Sequence, residues 1–102
     1  MSTISISFPT RQNLNNFMNL MNSYTGYTVE DYFPDLQKPQ SGRIRVTQAL
    51  PHLQVYVTYK VEGSLVILDM GYIDQNFDPF KRQRVYDHLT QLANWQGAGI
   101  SR

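Results

Sequence analysis

His52, Gln54, Tyr56 and Thr58 alternate along one side of an extended segment, and Arg43, Arg45 and Asp69 come from segments able to lie beside it. On one sheet face these are the parts of an acid–base site for phosphodiester cleavage: the arginines would hold phosphate, and His52 or Tyr56 would move protons. Arg45, His52, Tyr56 and Asp69 are therefore the candidate catalytic set. The plainer reading, which we favour, is a polar cross-strand ladder in which Arg45, Tyr56 and Asp69 satisfy one another. Water-facing strand surfaces commonly have that composition.

A second group lies near the C-terminus. Arg84, His88, Gln91 and Trp95 are spaced four, three and four residues apart, which puts them on one helical stripe. With Lys81 they would form a binding surface for a protein or a phosphate-bearing ligand, with Trp95 as aromatic anchor. The alternative is that Trp95 folds back onto the core and the basic residues are a solvated flank. A third group, Tyr27 to Leu36, combines aromatic residues with Glu30, Asp31 and Asp35. Tyr32 and Phe33 are its candidate contact residues, unless a short helix buries Val29, Tyr32 and Phe33 against the sheet.

Several chemistries lack their residues. Gly97-Ala98-Gly99 precedes no helix, so no phosphate-binding glycine loop is present. The two histidines are far apart and neither has the spacing of a metal ligand, so neither metal nor cofactor is expected. No serine sits in a nucleophile elbow.

The positioning elements can be read from periodicity. Thr3 to Phe8 alternates as a half-buried strand, with Ile4, Ile6 and Phe8 inward. Thr10 can cap a helix whose buried stripe is Leu14, Phe17, Met18, Met21 and Tyr24, with Gly26 as its stop. Asn15, Asn16, Asn19 and Asn22 occupy the opposite side; asparagine is a poor helix former, so tertiary packing must hold this element. Thr28-Val29-Glu30-Asp31 has capping-box spacing and predicts a short helix ending before Pro34, followed by a loop over Gln37 to Gly42. Arg43 to Ala49 alternates as a strand.

Leu53, Val55, Val57, Tyr59 and Val61 then face Val66, Leu68, Met70 and Tyr72 across a hairpin. With Glu62-Gly63 as the loop, Val57 falls opposite Leu68, and Tyr56 opposite Asp69. Asp78-Pro79 opens a last helix that buries Val85, Tyr86, Leu89, Leu92 and Ala93. The predicted fold is a single α+β domain over residues 1–96, with a flexible tail over 97–102. Its four-stranded antiparallel sheet carries helices in the order β-α-(short α)-β-β-β-α. Leu65 and Ile67 point to the second sheet face, where a helix or a second subunit should cover them.

The run Arg43-Ile44-Arg45-Val46, then Val55-Tyr56-Val57, then Leu65 to Tyr72, in this order of elements, resembles the RelE-type bacterial toxins over roughly Thr3 to Tyr72. Those toxins are ribosome-dependent messenger-RNA ribonucleases, and the resemblance implies RNA cleavage on the second sheet face. They are strongly basic in their first helices, where this chain has asparagines and Arg11. No individual role is carried over.

Composition favours another function. The 102 residues carry nine basic and eight acidic side chains, a formal charge of +1, which supplies no general attraction for nucleic acid or anionic membrane. A hydrophobic share of 41% fits one globular core. The absence of cysteine, of a long apolar run and of a basic-then-apolar start suits a cytoplasmic protein. The expected function is a non-catalytic protein-binding domain, a regulator or an inhibitor of the kind mobile elements encode. Its partner would be a protein, a homodimer being possible, with nucleic acid disfavoured. Arg84, His88, Gln91, Trp95, Leu65, Ile67, Tyr32 and Phe33 are its candidate contacts. The second sheet face discriminates: an open concave site favours the ribonuclease, coverage by a helix or partner favours the binder.

Overall fold

Alternation decides the first strand. In the computed structural model, which describes residues 2–24, 26–46 and 55–101, β1 (Thr3–Ser7) turns Ile4 and Ile6 inward and leaves Thr3 and Ser7 exposed. The Thr10 hydroxyl then accepts the Asn13 amide at 3.2 Å and caps α1 (Arg11–Ser23). Leu14, Phe17, Met18 and Met21 recur at helical spacing and are all buried. Each such side chain contributes about 1.5–3 kcal/mol, enough to offset the low helix propensity of the intervening asparagines.

Next come β2 (Tyr27–Val29), β3 (Gln40–Val46), β4 (Val55–Glu62) and β5 (Leu65–Asp69). The chain continues into α2 (Gly71–Asn76) and α3 (Pro79–Trp95), and ends in β6 (Gly99–Ser101). Asp78 caps α3, accepting the Lys81 amide at 2.9 Å, with proline in the first turn. The strands form one six-stranded antiparallel sheet in the order β2-β3-β4-β5-β1-β6. The buried stripes of α1 and α3 join Ile44, Val57, Tyr59, Val61, Val66 and Leu68 in a single core.

The sheet corrects the four-strand expectation at both edges. The segment read as a short capped helix is β2, and the segment read as a free tail is β6. In β2, Tyr27 and Val29 pair with Val46 and Ile44 on the core side, so sheet pairing outweighs a local capping pattern. Asp31, at φ +59°, then turns the backbone away from a helical course. In β6, Ile100 pairs with Ile6, and three residues of ladder suffice to dock the end of the chain. The polar stretch read as the loop before the third strand also shortens, because β3 starts at Gln40.

The β4–β5 hairpin has a different register from the one expected. Glu62 pairs with Leu65 and Tyr59 with Leu68, so the loop is Gly63-Ser64 rather than Glu62-Gly63. Gly63 takes the first loop position at φ +59°, where a side chain would be strained. The displacement shifts partners by two residues, which preserves both faces; Tyr59 and Val66 stay in the core although their partners change. Thr58, not Tyr56, lies opposite Asp69.

Tyr72 is not a strand residue either. β1 runs out at Thr3, and the last link to its side is Met70 N–H to the Ser2 carbonyl. The chain then bends at Gly71 although β4 runs on to Val55 beside it: the Gly71 amide bonds to Asp69 Oδ1 at 2.9 Å and α2 starts.

Candidate functional site

α1 and α3 pack on one face of the sheet; α2 flanks the Tyr56 end of the other through Tyr72 and Gln75. Ladder pairing sets that open face in rows. Thr3, Asp69, Thr58 and Arg43 stand side by side across β1, β5, β4 and β3. The next row is Ser101, Ser5, Ile67, Lys60 and Ser41. Ser7, Leu65 and Glu62 form a third. Leu65 and Ile67 are half-buried there, on the face away from the α1 and α3 stripes, so of the covers expected for them, a helix or a second subunit, neither α1 nor α3 is one. A depression of about 540 Å³ follows the middle of the face, lined by Thr3, Ser41, Arg43, Thr58, Lys60, Ile67 and Asp69 among others.

Of the candidate catalytic residues, Arg45, Tyr56 and Asp69 are described, and each has partners of its own. Arg45 lies beside Tyr56 in the ladder, but its Nε closes on Glu30 Oε1. Arg43 Nη2 reaches Glu30 Oε2 at 3.3 Å. Tyr56 is sandwiched by aromatic and cationic contacts: its ring stacks on Tyr72 at 5.3 Å and 24°, and the Arg43 guanidinium sits 5.3 Å from its centroid. Asp69 uses one oxygen on the Gly71 amide and lines a small depression with Tyr56, Thr58, Tyr72 and Gln75. The ladder expected among Arg45, Tyr56 and Asp69 is thus replaced by partners that the linear pattern did not offer: Glu30, Tyr72 and a backbone amide. His52 and Gln54 lie outside the described residues.

Glu30 fixes the edge of this face. Its amide donates to the Arg43 carbonyl at 2.8 Å, its carbonyl accepts the Tyr59 hydroxyl at 2.6 Å, and its carboxylate holds both arginines. Tyr59 is buried, and desolvation, aided by the nearby Asp31, raises its pKa to about 12. The phenol therefore remains a donor. Tyr32 is committed to structure as well, bonding Asn15 Oδ1 and meeting the Tyr59 ring edge-on at 6.4 Å. Phe33 stays 58% exposed while its backbone is bracketed by the Gln40 side-chain amide.

The asparagine face of α1 is an internal fastening. Asn22 accepts the Val29 amide, Asn15 accepts Tyr32, and Asn16 reaches Gln96 at the end of α3. Arg11 donates to the Gly63 and Leu36 carbonyls, at 3.0 and 3.1 Å.

The α3 stripe divides. Arg84, Gln91 and Trp95 are exposed, Trp95 to 61%. His88 instead turns toward β2, where Nδ1 lies 2.8 Å from the Tyr27 hydroxyl and the Tyr24 ring packs 5.0 Å from the imidazole. A cleft of about 290 Å³ opens there, lined by Tyr27, Val46, Phe77, Lys81, Arg84, Val85 and His88. The Tyr27 pKa is pushed up to about 12, first by burial and then by Tyr24, while Arg84 holds it down. The sequence put His88 and Arg84 on one helical stripe and Tyr27 in the separate aromatic and acidic segment, and no spacing signal joins the two.

Among the described residues no three His, Asp or Glu side chains gather as a metal ion would require, and no helix is long and apolar enough to cross a membrane. Comparison with protein-family models, with curated proteins and with solved structures finds no match to this chain.

Proposed function

We propose that the protein is a small non-catalytic interaction domain, regulatory or inhibitory, that docks another protein on the open face of its sheet. The observation that carries this reading is that two apolar side chains, Leu65 and Ile67, stand half-exposed in adjoining rows of β5 on the face away from α1 and α3. Their surroundings suit a protein surface. Serine and threonine on β1, β3 and β4 desolvate cheaply, and Lys60 and Arg43 are balanced by Asp69 and Glu62. A second copy is the first partner to test, because a face of balanced charge on a chain of net charge +1 does not repel itself. A cysteine-free chain suits a reducing compartment, and the reading takes the cytoplasm as its site of action.

One observation favours the ribonuclease alternative: the face is open, and Tyr56 there is flanked by Arg43 and Tyr72 beside the Asp69 depression. Against it, Arg45 is neutralised by Glu30 and Asp69 is engaged by the Gly71 amide. Light scattering over a wide concentration range, beside an RNA-cleavage assay, separates the two. The interaction reading expects reversible dimers that Ile67→Lys dissociates without unfolding, and no cleavage. A protein that stays monomeric at millimolar concentration overturns self-association. Cleavage that Arg43→Ala or Tyr56→Phe abolishes at unchanged melting temperature transfers the assignment to the ribonuclease.

A further inference from the structure

The cleft between β2 and α3 collects positive charge without any acidic counterpart. Lys81, Arg84 and His88 stand three and four residues apart, so one stripe of α3 delivers all three to the same opening. No carboxylate lines the cleft, and among the described residues neither Lys81 nor Arg84 makes an ion pair. The nearest acidic residues along the helix are spoken for elsewhere: Asp78 caps the Lys81 amide, and Asp87 accepts from Gln83.

The wall facing the cations is built to hold the imidazole in one orientation. Tyr27 is only 4% exposed and, among the described residues, its hydroxyl has His88 Nδ1 as its partner. The hydrogen bond to Tyr27 engages Nδ1, so Nε2 is the ring nitrogen left to meet a ligand. The Tyr24 ring packs against the imidazole from a third direction and fixes its plane. Val46, Phe77 and Val85 supply an apolar floor on which charge–charge attraction is less screened than in open water. At about 290 Å³ the space matches a small molecule rather than a polymer.

We propose that this cleft is a seat for the dianionic phosphate group of a small molecule, with Lys81 and Arg84 as its charge partners and the Tyr27-oriented His88 as an additional donor. The inference is independent of the open sheet face, which lies on the other side of the sheet from α3.

Titration calorimetry at low ionic strength with ribose 5-phosphate, inorganic phosphate and plain ribose tests it. Both phosphates should bind saturably at one site and ribose should not. Tighter binding of ribose 5-phosphate identifies an ester as the ligand, and tighter binding of inorganic phosphate identifies the free ion; either supports the seat. Arg84→Gln and Lys81→Gln should each weaken binding about ten- to a hundredfold, as expected for loss of one charge-assisted hydrogen bond. Arg84 is exposed and Lys81 half-buried, so both variants should fold, which circular dichroism checks. Lys38→Gln, at an exposed residue outside the cleft, removes the same charge and should leave binding unchanged. Absence of saturable binding up to about 10 mM phosphate, or equal weakening in Lys38→Gln and Arg84→Gln, overturns the proposal, since general charge would then account for the interaction.

Discussion

Gly42→Ala should destabilise the fold, although glycine to alanine inside a strand ordinarily stabilises by about 0.5–1 kcal/mol. Gly42 lies directly opposite Tyr59 in the β3–β4 ladder, and the Tyr59 ring crosses it to deliver its hydroxyl to the Glu30 carbonyl. A methyl group at Gly42 would fall 2.6 Å from that carbonyl oxygen, 2.6 Å from the Tyr59 hydroxyl and 2.8 Å from Cζ. Ordinary contact begins near 3.4 Å, so ring and backbone must separate by most of an ångström. The hydrogen bond then breaks, at about 1 kcal/mol, and the displaced ring adds about 1–3 kcal/mol of strain in a filled core. Setting the alanine gain against these leaves a loss of about 2 kcal/mol. For a domain of 102 residues that lowers Tm by about 8–10 °C in a calorimetric scan. Tyr59→Phe removes the same hydrogen bond without the clash and should cost about 1 kcal/mol. The double variant should cost less than the sum of the two, because both changes break one bond. A Gly42→Ala protein as stable as its parent, or strict additivity in this cycle, refutes the arrangement.

Asp78→Ala removes the cap of α3 and should cost about 1 kcal/mol, measured by urea denaturation, whereas Asp78→Asn should retain most of it. Trp95→Ala should barely move Tm because the ring is 61% exposed; its fluorescence should peak near that of free tryptophan and be quenched by acrylamide, and blue-shifted, protected emission would contradict this. At alkaline pH the fold should weaken through Tyr27 and Tyr59, both raised to about 12 chiefly by burial. Raised folded-state pKa values leave stability intact below about pH 10 and erode it between there and about 12, because the unfolded chain releases these protons first. Absorbance at 295 nm should show Tyr27 and Tyr59, with Tyr32 also raised by burial, ionising later in folded than in unfolded protein, and identical titrations in the two states would refute it.

Much of the architecture is local and was therefore legible in the chain. Alternation in Thr3–Ser7 and the 3–4 spacing of Leu14, Phe17, Met18 and Met21 follow from backbone geometry alone. So do the caps at Thr10 and Asp78, where side chain and amide are three residues apart. The sequence also determined which side chains of the hairpin face the core, since a displacement of two residues leaves parity intact. Only the tertiary structure decided what those elements meet. Thr28 to Asp31 carries a helix signal, yet the free edge of β3 offers hydrogen bonds that a four-residue helix cannot match. Gly99–Ser101 reads as a tail because three residues have no periodicity, and becomes a strand because β1 has an unpaired edge. The same holds for the candidate sites. Arg45 and Asp69 were visible as residues, but Glu30 and the Gly71 amide took them as partners. His88 was visible on a helical stripe, but the hydroxyl that orients it comes from Tyr27, 61 residues earlier, and contacts across that separation are set by the packing of β2 against α3 rather than by spacing.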